Sequence, residues 1–387
     1  MRRVKDANLV LVGTVLYCTG GVVFYVIPAI LANVSRVYDV PSAKLGLLPA
    51  LELAAIAFAS LTGPFWIGRF SWRLLIRVGA IASLLGQVAS LAAPSYIALL
   101  GIRAATGALG EGLLLALSYS LLGRSQNMER AFGIAYAASV VISMICLYAA
   151  PALDQMLRTD SVLVVVALLS AAALLASFFV PADRKDPSAQ VQQQAGVPPP
   201  RRGLGALALL TQVAWFAGAG GFWSFTEQLA AQNALAAAEI AQAMALGTGA
   251  ALLGAIIASA LDGRFGRTWP TVVSALVMAV SVYVFISASR FVGAAIELAL
   301  FNVCWATGTI YLTAAACAVD NDGKVAVLVP AAQTLGMSIG SAILGRAIQD
   351  FGASATPWIT TAFLAATFVL IAGFNGLLAR NLRVKVA

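Results

Sequence analysis

Residues 8–33 read NLVLVGTVLYCTGGVVFYVIPAILAN, and this stretch decides what kind of fold the chain can have. It contains no charged residue and is longer than the roughly 20 apolar residues that a helix needs to cross a bilayer. The run is also too long for the apolar core of a signal peptide, and no small-residue cleavage site stands near its end. We therefore expect a retained first transmembrane helix with a cytoplasmic amino terminus.

The rest of the chain has the same apolar character. Of its 387 residues, 61% are hydrophobic and 10% are charged, against roughly 45–50% and 25% in a soluble domain. A soluble protein of this length has too little interior for so much apolar surface, so lipid must be the solvent for much of it. The apolar runs predict twelve spans, at 8–33, 44–67, 74–93, 96–122, 131–152, 162–181, 204–230, 239–261, 269–289, 291–318, 327–350 and 358–379.

Lysine and arginine are distributed unevenly between the two ends of these spans. With the amino terminus in the cytoplasm, 18 of the 24 basic residues fall in cytoplasmic segments and 4 on the opposite side, while Arg103 and Arg346 lie within spans. This is the positive-inside pattern of membrane proteins. It predicts a multi-pass protein of a bacterial inner membrane with both termini cytoplasmic. The basic residues do not form a patch for nucleic acid.

The two halves of the chain repeat each other. IGRFSW at 67–72 returns 195 residues later as DGRFGR at 262–267, and Gly20-Gly21 returns as Gly220-Gly221. Parallel repeats of this kind are typical of alternating-access transporters. Residues 183–203 combine proline, glutamine and charge, which indicates a flexible linker. We predict an all-α membrane protein with twelve transmembrane helices in two pseudo-symmetric six-helix bundles, residues 1–182 and 204–387, joined by a cytoplasmic linker at 183–203.

Two motifs resemble signatures of the major facilitator superfamily. DGRFGR at 262–267 resembles the family's cytoplasmic loop between the second and third helices of a half, and Arg103 followed by spaced glycines resembles its fourth-helix signature. The resemblance covers the whole chain. It implies two six-helix bundles around a central cavity that opens alternately to each side. The fifth span ends in LYAAP at 147–151, where multidrug antiporters of the family have a glycine, so this subgroup is not indicated.

The same resemblance implies a cytoplasmic gate. Carboxylate and guanidinium groups at a helix end can pair with each other and with helix termini, which holds the inward gate shut. The first-half loop has Ile67 or Gly68 where the family has aspartate, so its lock is weaker or built differently. For Arg264 and Arg267, positive-inside anchoring is the alternative role. The candidate gating residues are Arg69, Asp262, Arg264 and Arg267.

Carboxylates within spans are the candidates for proton coupling. The chain has no histidine, which is the side chain that titrates most naturally near neutral pH. Ionisable groups deep in a membrane are costly and usually face a cavity. Glu111 is the best placed of them by depth, with structural pairing as its alternative role. Glu227 and Glu297 can instead be solvated near the outer interface. The candidates are Glu111, Glu52, Glu227 and Glu297.

Arg103 and Glu111 fall on one side of the fourth span. Eight residues separate them, or roughly 12 Å along a helix axis, so we expect them to be too far apart to pair. Glu52 enters the second span at a depth similar to that of Arg103, and a Glu52–Arg103 pair is plausible. Arg346 stands four residues before Asp350, which indicates a local interfacial pair.

Aromatic residues are concentrated in the first and seventh spans. If they line a cavity, they suit a partly apolar or ring-containing substrate better than an inorganic ion. Arg103 can serve as an anion anchor or a structural cation. The candidate substrate-binding residues are Arg103, Tyr17, Tyr25, Trp223, Trp305 and Asn302.

The leading functional prediction is a secondary active transporter, a proton-coupled exporter of a small amphiphilic organic molecule, with export favoured by resemblance to bacterial efflux members. One alternative is uptake or exchange of an organic anion anchored by Arg103. The other is a membrane-embedded enzyme or lipid-handling protein. Against an enzyme, the sequence has no metal-ligand cluster and no nucleophile–base pairing, and it lacks the nucleotide-binding loop that ATP would need. We expect a monomer with substrate, protons and lipid as partners, and no metal or cofactor.

The orientation can be tested with reporters. Both termini and residues 183–203 together carry ten of the 24 basic residues, so we expect them in the cytoplasm, and a reporter fused after Ala387 should be active only if it functions there. A pair of fusions, one with a cytoplasmic and one with a periplasmic reporter, measures this. Activity of the periplasmic reporter alone would contradict a twelve-span topology.

Overall fold

The computed structural model of the protein describes residues 2–67, 69–180, 202–233, 235–261, 264, 266–319 and 324–383. In these ranges, twelve helices are long and apolar enough to cross a membrane, and no strand occurs. The first six are α1 Arg2–Tyr38, α2 Ser42–Trp66, α3 Trp72–Leu91, α4 Tyr96–Leu122, α5 Met128–Leu157 and α6 Ser161–Ala176. The others are α7 Arg202–Gln232, α8 Ala237–Leu261, α9 Thr268–Phe285, α10 Phe291–Ala318, α11 Lys324–Phe351 and α12 Ala355–Arg383.

The prediction of an all-α protein with twelve membrane-length helices is thus confirmed. Nearly all of the predicted linker at 183–203 lies outside the described residues, so the linker and the domain bounds remain predictions. One boundary difference is at the end of α1, which was expected at Asn33 and lies at Tyr38. Hydropathy falls at Asn33 but the helix continues for more than a turn, and there Arg36 Nη2 donates to Asn33 Oδ1 at 3.0 Å. It ends where Asp39 adopts a left-handed conformation, with φ of 46°.

We call α1–α6 the N half and α7–α12 the C half. In the N half, α1 packs on α4, α5 and α6, and α3 packs on α6; in the C half, α7 packs on α11 and α12, and α10 packs on α8 and α9. The repeated glycine pairs lie at close helix contacts. A Cβ on Gly20 would come within 2.6 Å of the Glu111 carbonyl oxygen, and one on Gly221 within 2.9 Å of the Gly340 carbonyl oxygen. Both halves therefore use small residues to bring helices together.

Following the predicted orientation, we call the side with loop 123–127 the inner side and the side with loops 39–41, 92–95 and 158–160 the outer side. The halves are joined by three helix pairs, α1–α7, α2–α11 and α5–α8. Ser338 Oγ donates to the Ala50 carbonyl at 2.7 Å, and the Ala43 amide donates to Gln349 Oε1 at 3.2 Å. Both bonds lie in the outer half of α2.

Hydrophobic packing between the halves is also confined to middle and outer depths. One buried cluster combines both halves, for example Val34 and Leu48 with Phe225 and Leu344. Toward the inner side, the other clusters among the described residues belong to one half each: two lie within the N half and one within the C half. The described residues therefore share one buried cluster across the halves, while the remaining buried clusters each belong to a single half.

The α2–α11 contact generates a prediction about this packing. A Cβ on Gly345 would come within 2.6 Å of the Ser42 carbonyl oxygen, 2.9 Å of Phe225 Cζ and 3.1 Å of Gly46 Cα. Gly345→Ala should therefore separate the outer ends of the two halves and shift the population toward outward-open states. Spin labels at Val37→Cys and Ala231→Cys, in a background without native cysteines, should report a distance longer by several ångströms.

Gly101→Ala is the matched control, because a Cβ there meets nothing within 4 Å. It should leave the Val37–Ala231 label distance unchanged. An unchanged distance in Gly345→Ala as well would show that this contact does not hold the outer side together.

Candidate functional site

Four polar side chains meet inside the N half. Glu52 on α2 and Arg103 on α4 are each 1% exposed, and Gln87 on α3 and Glu111 on α4 are fully buried. Arg103 binds Glu52 in a bidentate manner, with Nε donating to Oε2 at 3.1 Å and Nη2 donating to Oε1. Its Nη1 donates to Gln87 Oε1 at 2.6 Å, and Gln87 Nε2 donates to Glu111 Oε1 at 2.9 Å. We call these four residues the charge cluster.

Arg103 also contacts Glu111 directly, with Nη2 lying 3.4 Å from Oε1. The expectation that these residues are too far apart to pair was wrong. It considered the rise of the helix axis between the two Cα atoms and neglected side-chain length. An extended arginine and a glutamate on the same helix face together span such a gap. The plausible Glu52–Arg103 pair is present in the structure.

The backbone of α4 positions the cluster. Between Arg103 and the end of the helix, Gly107–Glu111 form a π turn, closed by the Gly112 amide donating to the Gly107 carbonyl. Such turns occur mostly as single bulges within α-helices, often at functional sites. A Cβ on Gly107 would come within 2.5 Å of the Glu52 carbonyl oxygen, and one on Gly110 within 2.8 Å of the Ser83 backbone. The glycines thus let α2 and α3 approach α4 closely enough for Glu52 and Gln87 to reach Arg103.

The charges of the cluster are not balanced if every group is ionised. One guanidinium faces two carboxylates, at a depth where unpaired charge is expensive. Both oxygens of Glu52 accept from Arg103, whereas only Oε1 of Glu111 is engaged and its Oε2 has no partner among the described residues. Glu111 is therefore the carboxyl group whose charge the protein compensates less.

Gln87 is the member of the cluster that the sequence analysis missed. It was one amide in an apolar span, with no spacing relation to Arg103, and only the packing of α3 against α4 brings the two together. A usable signal was present, because a fully buried glutamine in a membrane helix needs partners for both its amide and its carbonyl. Here it has them, donating to Glu111 and accepting from Arg103.

A cavity of about 770 Å³ lies between the halves at the outer side. It is bounded by all six helices of the N half, α1–α6, and by α7 and α8 of the C half. Arg103 forms part of its wall, so the cavity extends to the charge cluster. Its other charged lining residues are Arg36, Asp154, Arg158, Asp160 and Glu227.

Asp160 is the carboxylate of this wall that acts electrostatically on Arg103. It precedes α6 and caps it, with Oδ1 accepting from the Leu163 amide at 3.2 Å. Burial raises the pKa of Asp160 above its ordinary value, against the hydrogen bonds from Asn33 and the Leu163 amide. Asp154 Oδ1 accepts from the Ser161 amide at 2.7 Å, and its Oδ2 lies 3.9 Å from Arg36 Nη2. The sequence analysis did not single out either aspartate.

The predicted aromatic residues fall into two groups. Tyr17 and Tyr25 on α1 are partly exposed. Trp223 is fully buried, and its Nε1 donates to the Tyr25 carbonyl at 3.0 Å, which makes it a contact between the halves. Trp305 is 9% exposed and packs on Trp223 with ring centroids 6.3 Å apart. Asn302 is buried and donates to the Leu298 carbonyl within α10.

The remaining predicted residues lie away from the charge cluster. Glu227 is partly buried in the wall of the outer cavity, where Arg36, Asp154 and Asp160 act on it electrostatically. Glu297 is partly exposed on α10 and has no contact with the cluster. The Arg346–Asp350 pair is confirmed, with Nε 2.7 Å from Oδ2.

The predicted gate is only partly visible. Asp262 lies outside the described residues, so its pairing with Arg264 and Arg267 remains a prediction. Arg69, Arg264 and Arg267 are exposed, and none forms an ion pair with another described residue.

The fold matches solved transporter structures. A D-xylose–proton symporter superposes with a TM-score of 0.73 at 15% identity, over 94% of this chain and 96% of that one. A nucleoside transporter superposes with a TM-score of 0.68 at 13% identity, over 97% of this chain and 99% of that one. A bacterial homologue of the human lysosomal transporter Spinster, in an inward-facing and unoccupied conformation, superposes with a TM-score of 0.65 at 15% identity. The match covers 96% of this chain and 95% of that one. The sequence itself matches no family model and no curated protein. The chain has the fold of major facilitator transporters, as the motifs indicated, and these neighbours are transporters rather than enzymes.

The buried Glu52–Arg103 pair generates a stability prediction. Glu52→Gln leaves a buried guanidinium without its main partner, which should cost about 3–5 kcal/mol. Arg346→Gln breaks an exposed pair of the same type, 67% exposed at the arginine, and should cost about 1 kcal/mol or less. Apparent melting temperatures in detergent measure both. The double variant Glu52→Gln, Arg103→Gln should regain part of the loss, and equal melting temperatures for the two single variants would contradict the role of the buried pair.

Proposed function

We propose that the protein is a secondary active transporter of a small organic molecule, driven by protons and working by alternating access. The observation that carries this proposal is the charge cluster, in which one arginine faces two carboxylates inside the membrane. A cluster with this composition is neutral only when it holds one extra proton. Neutrality is strongly favoured in a low-dielectric site, so the cluster is a place where a proton can be held and released.

Glu111 is the proton carrier in this proposal. Arg103 holds the ionised Glu52 through two hydrogen bonds, while Glu111 shares only one oxygen with Arg103 and Gln87. A proton on Glu111 therefore leaves the Glu52–Arg103 pair intact. When Glu111 loses its proton, its carboxylate competes with Glu52 for the same guanidinium. Protonation of Glu111 thus selects between two hydrogen-bond arrangements of α2, α3 and α4. A difference in hydrogen bonding between these helices can shift the equilibrium between two conformations of the protein.

The outer cavity gives the proton a path. It reaches Arg103 from the outer side and carries Asp154, Asp160 and Glu227 on its wall. Inward proton flow from a periplasm to a cytoplasm fits a bacterial inner-membrane location with both termini cytoplasmic.

The predicted direction of substrate transport is export, in which the substrate moves against the proton. One structural neighbour is a proton symporter, in which the two move together, so the direction of proton flow in a transport assay decides between these modes.

The alternative of an organic anion anchored by Arg103 fits the geometry less well. All three guanidinium nitrogens of Arg103 donate hydrogen bonds within the cluster, and the side chain is 1% exposed. An anion could bind there only by displacing Glu52 or Glu111. A buried carboxylate released in this way would itself be unpaired, at a cost of several kcal/mol.

Glu111→Gln tests the carrier. Glutamine keeps the size and hydrogen-bonding capacity but removes the titration, so the variant should fold and lose proton-driven transport. Independently of any substrate, the infrared carbonyl band of a protonated, buried carboxylic acid should be present in the wild type and absent in the variant. The same band can be followed in purified protein across a pH series.

Glu297→Gln is the matched control, because Glu297 lies in a membrane helix but outside the cluster. It should keep both the infrared band and transport. Loss of the band in Glu297→Gln, with its retention in Glu111→Gln, would move the carrier to Glu297. Full transport by Glu111→Gln would show that Glu111 does not carry the coupling proton.

A further inference from the structure

A row of aromatic side chains lies at middle and inner depths of the N half. The Tyr17 and Tyr119 rings lie 5.9 Å apart, and Tyr119 and Phe132 lie 5.2 Å apart. The hydroxyl of Tyr17 interacts with that of Tyr119, and the hydroxyl of Tyr25 with that of Tyr136. All five side chains are partly exposed. We call Tyr17, Tyr25, Tyr119, Phe132 and Tyr136 the phenol row.

The C half has amides and hydroxyls at the corresponding depth. Gln212 Nε2 on α7 donates to Thr313 Oγ1 on α10 at 3.1 Å, and Gln333 Nε2 on α11 donates to Gln212 Oε1 at 3.4 Å. One turn along, Trp215 Nε1 donates to Thr309 Oγ1 at 3.0 Å. Gln333, Thr313 and Thr309 are partly exposed, while Gln212 is buried behind them. We call Gln212, Gln333, Thr309 and Thr313 the amide patch.

The phenol row belongs to the N half and the amide patch to the C half. Their central helices α1 and α7 are in contact, through Trp223 and the Tyr25 carbonyl. Tyr17 and Gln212 stand about two and three turns, respectively, from that contact toward the inner side. Tyr17 and Tyr119 pack against the buried cluster that combines both halves, and the other buried clusters among the described residues belong to one half each. Since α1 is in contact with α2, α4, α5, α6 and α7, its partly exposed Tyr17 faces the interior of the protein and not lipid.

Neither surface carries a charge. Among the described residues, the ionisable groups of the charge cluster are buried between α2, α3 and α4. On the inner side, Arg73 and Arg77 point away toward α6, donating to the Val180 carbonyl and to Ser177. A charged solute between the two surfaces would have no counter-ion, which is costly at this depth. The available interactions are ring stacking and neutral hydrogen bonds of both polarities.

We propose that the phenol row and the amide patch form the substrate site, and that the substrate is an uncharged, ring-containing molecule with hydroxyl or amide groups. This inference rests on the proposed transport function and sharpens its substrate class. The tyrosine rings take the flat face of the substrate. The amide of Gln333 and the hydroxyl of Thr313 meet its polar edge, and Gln212 holds both in place.

Binding to the purified full-length protein tests this proposal without transport. The probes are two neutral ring compounds, uridine and phenyl β-glucoside, one cation, tetraphenylphosphonium, and one anion, benzoate. A bound probe raises the apparent melting temperature and changes tryptophan fluorescence, because Trp215 adjoins the patch. At least one neutral probe should bind and neither ion should. Gln333→Leu and Tyr119→Phe should each weaken the binding about five- to tenfold, as expected for one lost neutral hydrogen bond.

Gln228→Leu is the matched control, because Gln228 lies on α7 like Gln212 but lines the outer cavity. It should leave the affinity unchanged. Loss of binding in Gln228→Leu with retention in Gln333→Leu would move the site to the outer cavity and overturn the proposal. It would also be overturned if neither neutral probe binds, or if an ion binds and is lost in Gln333→Leu.

Glu111→Gln separates this proposal from the proposed proton coupling. It should bind the neutral probe like the wild type, because the charge cluster does not contribute to the site. If the neutral probe binds but the wild type lacks the infrared band of a protonated carboxyl group, the substrate class stands and proton coupling fails. If the band is present and only ions bind, proton coupling stands and the substrate class fails.

Discussion

The N half depends on one constraint, which is that a guanidinium inside a membrane must be neutralised where it stands. Arg103 is 1% exposed, so α2 and α3 have to present Glu52 and Gln87 to it. This requires close helix approach, and the glycines around the π turn of α4 permit it. The same contacts between α2, α3 and α4 also position Glu111. The Glu52–Arg103 pair and the Glu111 carboxyl group, with its unpartnered oxygen, therefore depend on the same helix packing.

The two halves share a backbone plan but differ in chemistry. The N half holds the charge cluster and the phenol row, whereas the core of the C half is built from aromatic rings packed in edge-to-face and tilted pairs. Phe222 packs on Phe285 and on Phe301 with centroids 5.4 and 4.7 Å apart, and Trp305 packs on Phe301 and Phe216. A rigid aromatic core requires no charge compensation. Ionic rearrangement can therefore occur in one half while the other keeps its internal packing, as expected when two bundles rock against each other.

Hydropathy and charge predicted the twelve helices because these patterns follow directly from the solvent. The Glu52–Arg103 pair was also within reach, since both residues had to be placed at similar depth. The rest of the cluster was not. Gln87 joins it through packing between helices, and the reach of Arg103 to Glu111 depends on side-chain conformation. Trp223 was expected at a substrate surface but forms a contact between the halves. Sequence patterns predict the depth of a residue in the membrane and the face of the helix on which it lies. They do not predict which side chain of another helix packs against that face.

The same helices that hold the charge cluster also carry the phenol row. Tyr119 lies eight residues beyond Glu111 on α4, about 12 Å along the axis. Gly20 of α1 lies against the Glu111 carbonyl, one turn from Tyr17. A change of charge on Glu111 alters the hydrogen bonds that hold α4 against α2 and α3, and α4 and α1 can move only with their tyrosines. Under the proposed mechanism, proton and substrate therefore need no shared ligand, because coupling follows from two sites that are built on the same pair of helices.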